Sequence, residues 1–325
     1  MAHSTKGENI QRFMPIDAAR YALSFLVILL HSLPIQSSGS FSTTLVASVC
    51  RVAVPFFFIA AGYFLHWRTT SNKELVIKIC RRLLPIYFFW MVVYYCIFNG
   101  AFGQKFPIGF RELASGGLAY HLWFLPALCF ALIFVGVGRA LFGVCITGLA
   151  CGVLAITSLI NGAYHDVFGM TESATRGGIL IAPIYVFIGS VLTGWVTNES
   201  WRASLTALMA AFLCMVFEEF LIYFLSKSNS LTSHDFLLST FLVGIAAFKF
   251  TQKIPECNLV RLLARLGRVS LSVYSVHLAI LLVVVKFMPR SSMIECLLVA
   301  IYVFTIATIL SVCLSRVPGI KPFVT

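Results

Sequence analysis

Ten apolar runs, each near the ~20 residues that carry a helix across the hydrocarbon core of a bilayer, follow one another along this chain and leave it few folds to choose from. They fall at about 16 to 35, 46 to 66, 83 to 102, 119 to 138 and 141 to 160, then at about 179 to 197, 203 to 224, 236 to 250, 269 to 288 and 294 to 315. Backbone in hydrocarbon must satisfy its own polar groups, so runs of this length cross as helices. The expected fold is an all-α polytopic membrane bundle of about ten transmembrane helices, one domain over residues 1–325 with 1–15 as a cytoplasmic tail. Composition excludes a soluble alternative, because 59% of the residues are hydrophobic and only 11% charged, against about 25% charged in soluble domains.

Basic residues in short loops stay on the cytoplasmic side, and that bias orients the bundle. With the N-terminus inside, seventeen of the 24 Lys and Arg residues fall on inner segments. Six fall outside (Lys105, Arg111, Arg176, Lys227, Lys286 and Arg290), and Arg51 lies within the second run. The formal charge of +12 is therefore mainly a topology signal, spread over several loops, and not a nucleic-acid footprint. Two inner clusters, "KELVIKICRR" and "KFTQKIPECNLVRLLARLGR", have a second reading as sites for anionic lipid or a phosphorylated cytosolic ligand. The first run reads as a retained span, because "HSLPIQSSGS" offers no small-residue cleavage pattern after it. The cysteines lie mostly inside apolar runs without metal-type spacing and read as small buried hydrophobes. No metal is expected.

Against this background "RYALSFLVILLHSLP" stands out, with Arg20 and His31 bracketing residues that otherwise suit a bilayer. Eleven helical steps return the two side chains to nearly the same face, about 16 Å apart along the axis. Ser24 and Val27 lie between them, and Asp17 sits one turn before Arg20, placed to pair with it. Arg20 has a plain alternative, snorkelling to the inner headgroups. An ionisable group as deep as His31 is a functional hypothesis by default.

Other polar groups collect in the outer half of the expected membrane: Arg51, His121 in "YHLWF", and Glu218 and Glu219 in "CMVFEEFLIYFL". His277, three residues after Tyr274, lies about two turns into the ninth run. Each has a structural alternative. Tyr120, His121 and Trp123 suit an aromatic belt. Arg51 suits an ion pair with either glutamate. The Tyr274 and His277 stripe suits a helix-packing hydrogen bond. Neighbouring Glu218 and Glu219 cannot face one way on a helix, so one is expected to turn inward and the other to the headgroup boundary.

Taken in order, the Arg and His of the first run, "RVAVPFFFIAAGYFL" in the second, "YHLWFLPAL" in the fourth and "LGRVSLSVYSVHLAI" near the end resemble the acyltransferase-3 family of integral membrane acyltransferases. The likeness covers nearly the whole chain and is strongest to short, single-domain bacterial O-acetyltransferases. "DAARYALSF" departs from the family's common "LRG" opening, which touches helix packing and leaves the Arg and His in place.

The resemblance implies a multi-pass protein of the bacterial cytoplasmic (inner) membrane. It would move an acetyl or similar acyl group from cytoplasmic acetyl-CoA to a hydroxyl of an extracytoplasmic or lipid-linked glycan, with membrane lipid around it and no nucleic-acid partner. Under that reading Arg20, with Arg81, Arg82 or Arg268, holds the coenzyme phosphates, and Tyr274 and His277 line the coenzyme's path. His31 is the general base or, in a covalent variant, the acyl carrier. Glu218 or Glu219 orients the imidazole or the sugar, and Arg51 or His121 stabilises the oxyanion. The rival class is a secondary transporter or flippase, which would also bury Arg, His and Glu, although no pair of internal repeats supports it.

Overall fold

A computed structural model describes residues 13–34, 41–65, 71–101, 103, 109, 112, 115–169, 178–193, 199–226 and 234–324. The described residues are helical throughout, with no strand. Of the basic residues used for orientation, Lys6, Arg12, Arg68, Lys105, Arg111, Arg176 and Lys227 lie outside them. Among the described residues, seven helices are long and apolar enough to cross a membrane.

The helices are α1 (Met14–Ser32), α2 (Phe41–Cys50), α3 (Ala53–Tyr63), α4 (Asn72–Cys96), α5 (Phe124–Asn161), α6 (Gly178–Leu192), α7 (Trp201–Leu225), α8 (Ser239–Gln252), α9 (Asn258–Leu266), α10 (Ser270–Val284) and α11 (Met293–Leu314). Several depart from the apolar runs. The second run is a broken pair, α2 and α3, stepping at Arg51 and Val52. The third begins earlier than its apolar part, at Asn72, where Ser71 and Glu74 form a reciprocal capping box; "KELVIKICRR" is thus helix and not loop. "NLVRLLARL" is the separate amphipathic α9, which seats Val260 and Ala264 on Ala18 of α1 and leaves Arg261 and Arg265 exposed.

The fourth and fifth runs form the single helical stretch α5, interrupted at Gly143 (φ 76°, ψ −178°). A Cβ on Gly138 would lie 3.0 Å from the Thr147 side chain, nine residues on, whereas nine residues of straight helix span about 13.5 Å. The two arms therefore fold back on each other. Gly143 takes the backbone geometry that only glycine adopts without strain.

Close approach of α3 and α6 sets the middle of the bundle. A Cβ on Gly62 would meet Val186 O at 2.0 Å, and one on Gly189 would meet Ile59 O at 2.0 Å. The two glycines are each other's clearance, the small-residue packing that membrane helices use where no hydrophobic effect drives them together. Around this centre the large exposed apolar side chains, such as Leu213, Phe217 and Phe224 of α7, face outward as a lipid-contacting surface does. Cys96, Cys145, Cys214 and Cys313 belong to that exposed set, while Cys50, Cys129, Cys151 and Cys296 are buried; only the latter act as buried hydrophobes, because an apolar run does not say which side of its helix faces the bundle. Replacing Gly189 by Val should drive α3 and α6 apart, and fluorescence-detected size exclusion should show loss of the monodisperse folded species.

Candidate functional site

Four helices bring imidazoles and phenols to one place. His31 ends α1, Tyr120 and His121 form the 3₁₀ turn that leads into α5, Tyr274, Ser275 and His277 lie on one side of α10, and Tyr94 comes from α4. His31 stacks on His277 (centroids 5.3 Å apart, planes at 17°) and meets Tyr120 edge-on at 5.3 Å. His121 stands edge-on to His277 at 4.9 Å and to Tyr94 at 5.1 Å. His121 and His277 are 1% and 0% exposed, whereas His31 is half-buried and so is the member a substrate can reach.

Backbone carbonyls decide which nitrogen carries the proton on each buried ring. A carbonyl only accepts, so the nitrogen facing it must be N–H. His277 donates from Nδ1 to Tyr274 O at 2.5 Å, and His121 donates from Nε2 to Ser275 O at 3.0 Å. The neutral rings are left with acceptors at His277 Nε2 and His121 Nδ1, neither of which has a hydrogen-bond partner among the described residues. Tyr274 in turn donates its hydroxyl to His121 O. Tyr94 donates to Ser275 O at 2.8 Å and accepts from Ala279 N at 3.1 Å, bridging the acceptor and donor of one helical rung.

Two consequences follow for the expected roles. His121 is fixed as an acceptor, so in this arrangement its ring has no N–H left for an oxyanion. Of Tyr274 and His277, expected along the coenzyme's path, His277 stacks on His31 and Tyr274 stands beside His121 and His277. The stacked rings of His31 and His277 cannot pass a proton directly, because the in-plane lone pair of one does not meet the N–H of the other. His31 Nδ1 lies 3.5 Å from Tyr120 Oη, which makes that phenol the polar group nearest the accessible imidazole among the contacts described.

The glutamates and Arg51 form a second cluster. Arg51 pairs with Asp235, a residue of the loop before α8, and not with a glutamate; loop pairing of this kind leaves no mark in local sequence. Glu219, 3% exposed, binds His234 Nδ1 at 2.7 Å and His234 N at 3.1 Å, with Ser48 Oγ at 3.4 Å. Glu218 accepts from Tyr164 and from the first free amides of α8, Leu238 N at 3.0 Å and Ser239 N at 2.7 Å, which caps that helix from a neighbouring element. Burial first, then the Glu218 carboxylate, push the Tyr164 phenol up, so it stays protonated and donates. Both carboxylates meet α8 or its leading loop, Glu219 buried and Glu218 half-buried.

At the other end of α1, Arg20 pairs with Asp17 at 3.8 Å, as their spacing predicts. Gly267 packs on Asp17, where a Cβ would come 2.3 Å from the carbonyl oxygen, and this seats the exposed Arg268 beside the same turn. Arg82 is close enough for its charge to act on Arg20; Arg81 and Arg82 are both exposed. Ser24 and Val27, between Arg20 and His31, are buried, so the stripe that joins the two ends is enclosed by the bundle.

Sequence reasoning missed Tyr94, His234 and Asp235. Tyr94 is hidden in the aromatic run "FFWMVVYY", where nothing local separates a functional phenol from bilayer-facing ones. Removing the α8 cap should be a stability defect: Glu218→Ala should cost about 1 kcal/mol or more by taking the acceptor from the half-buried Ser239 amide and Tyr164 hydroxyl, while Glu218→Gln, which keeps an accepting oxygen, should retain part of that stability, as read by thermal unfolding in detergent.

Comparison with known proteins gives one family. A family model described as an acyltransferase domain matches residues 15–317. Curated relatives include an amino-acid racemase of Enterococcus faecalis, 26% identical over 335 residues, which covers 91% of this chain and 45% of the relative. A second amino-acid racemase of that organism is 30% identical over 210 residues, covering 58% and 29%. A serine/alanine racemase of Enterococcus gallinarum is 26% identical over 224 residues, covering 61% and 31%. The chain thus spans less than half the length of these relatives. No solved structure matches it.

Proposed function

The chain belongs to the acyltransferase-3 family, and on that premise we propose that it is a membrane O-acyltransferase that carries an acetyl group from cytoplasmic acetyl-coenzyme A to a hydroxyl of an extracytoplasmic or lipid-linked glycan. The observation that carries this reading is the half-buried His31 at the edge of a packed cluster of imidazoles and phenols, on the same helix as Arg20, about 16 Å away. In this reading the chain crosses the membrane of a bacterial cell ten times with both termini in the cytoplasm, counting the α5 hairpin as two and adding the shorter helices α6 and α8 to the long spans.

In this mechanism Arg20, Arg82 and Arg268 gather the coenzyme's phosphates at the cytoplasmic end through charge-assisted hydrogen bonds, with Arg81 adding to the local field. The thioester reaches His31. His31 Nε2 takes the proton of the acceptor hydroxyl as its oxygen forms a bond to the thioester carbonyl carbon. The C–S bond then breaks, and the imidazolium returns the proton to the leaving thiolate, giving ester and free coenzyme thiol. For Nε2 to be the base, Nδ1 must carry the other proton and donate it to Tyr120, whose own O–H then donates onward and is a candidate for the developing oxyanion. Arg51, Glu218 and Glu219 act in this reading as a brace that holds the α7 and α8 side of the site.

The racemase activity in the relatives' names is not carried over, since the matched part is under half of each protein. The second reading is passage of a polar solute, because a transport pathway would also bury Arg and His; an amino acid, the class printed in the relatives' names, is the first to try. Inside-out vesicles given radiolabelled acetyl-coenzyme A separate the two. Wild-type protein should move label into glycolipid or polysaccharide with release of thiol, and His31→Ala at matched protein level should lower transfer by about 10²–10⁴-fold. Solute movement without thiol release would support the conduit instead. Arg20→Ala should raise the KM for acetyl-coenzyme A by about tenfold or more with a smaller fall in kcat, the pattern of lost binding and not of lost chemistry.

A further inference from the structure

We propose that α9 is an interfacial helix whose exposed face binds anionic phospholipid headgroups, with Arg261 and Arg265 as the phosphate contacts. The helix "NLVRLLARL" carries two basic residues and no acid. Both guanidinium groups are exposed, and neither forms an ion pair or hydrogen bond among the described residues. The nearest acid along the chain, Glu256, lies in the loop before the helix and pairs with neither of them.

The helix sits at the end of the bundle away from His31. Val260 and Ala264 seat on Ala18, and Gly267 behind them packs on Asp17. These positions span about 10 Å of helix, yet all meet one step of α1, so α9 crosses the start of α1 and does not run alongside it. The crossing lies about one turn from Met14, the first residue of α1. That is the level of a membrane boundary, and in the topology proposed above it belongs to the cytoplasmic leaflet.

Helical phase divides the outer side of α9 into two edges. Arg261 and Arg265 lie about 80° and 120° to one side of the direction that Val260 and Ala264 face. Leu259 lies about 120° to the other side and Leu262 about 180° away; they are 62% and 53% exposed. An arginine edge beside a leucine edge is how an amphipathic helix lies in the plane of an interface, its apolar edge among acyl chains and its cations at the headgroups.

This pairing selects the ligand. Orientation by basic residues requires only charge on the inner side and gives no reason for leucines exposed beside it. A water-soluble phosphate would satisfy the arginines and leave both leucines in water. A zwitterionic lipid would cover the leucines and offer the arginines no net charge. An anionic phospholipid answers to both edges at once. Arg261 and Arg265 take no part in the coenzyme contacts described above, so the surface stands apart from the acyl-transfer reading.

The test uses the full chain in phosphatidylcholine nanodiscs with two tracers at equal mole fraction, phosphatidylglycerol and phosphatidylcholine, each bearing a diazirine near the headgroup. Labelling of residues 258–268, read by peptide mapping and normalised to the outward face of α7, should be at least about fivefold greater with phosphatidylglycerol. Arg261→Gln combined with Arg265→Gln, two exposed changes that leave the packing on Ala18 intact, should bring that ratio close to one. Equal labelling in the wild-type protein, or a preference retained in the double variant, would overturn the proposal. Salt reads the same contact without any variant. Raising it from about 0.1 M to about 1 M shortens the screening length from about 10 Å to about 3 Å and should at least halve the preference; a preference unmoved by salt would overturn the proposal as well. Excess free glycerol phosphate at constant ionic strength should leave the labelling in place, and displacement by that soluble anion would overturn the lipid assignment in favour of a free phosphate ligand.

Discussion

The hydroxyl of Tyr94, set between Ser275 O and Ala279 N, is the contact on which the site most depends. In hydrocarbon a buried polar group has no water to turn to, so each must find its partner within the protein. Tyr94 ties α4 to the middle of α10, and the same Ser275 carbonyl also takes the His121 N–H. That one backbone oxygen therefore fixes the depth of α10 against α4, the seat of the turn before α5, and the tautomer of a buried histidine. With Tyr274 O holding His277, α10 acts as the template against which the accessible His31 is stacked.

The polar groups around His31 and those between α7 and α8 form two sets with different physical duties. Of the imidazoles and phenols around His31, His121 and His277 are fully buried and held by backbone carbonyls, and His31 is the ring left within reach of a substrate. The carboxylates of Glu218 and Glu219 are consumed by Tyr164, His234 and the amides that open α8. Saturated acceptors resist deformation. Family membership supports a membrane acyltransferase, and the cluster at His31 is where the proposed acyl transfer would take place.

Much of the architecture was legible in the chain, for a physical reason: a segment's hydropathy reflects its solvent, and a bilayer is an unforgiving one. The existence of the apolar helices, the Asp17 to Arg20 pair and the shared face of Arg20 and His31 are local consequences of helical spacing. The brace was not legible. Asp235 and His234 sit in a loop that carries no periodic signal, so the partner of Arg51 could only be guessed among acids already in view. The early start of α4 was missed because a basic, capped helical turn looks like a loop when hydropathy alone is followed, and the fold-back at Gly143 shows only once Gly138 and Thr147 are seen in contact.

By itself the sequence determined that this protein is a helical membrane bundle, and it singled out His31 and Arg20, because burying an imidazole or a guanidinium in an apolar span is costly enough to mark the residue wherever it lands. The tertiary structure decided what surrounds them. It brought His121, His277, Tyr94 and Tyr120 to His31 from separate helices, gave the buried imidazoles their tautomers through two carbonyls of α10, and withdrew the glutamates to a brace. Such facts depend on which faces of distant helices meet, and helix spacing along a chain carries no record of that.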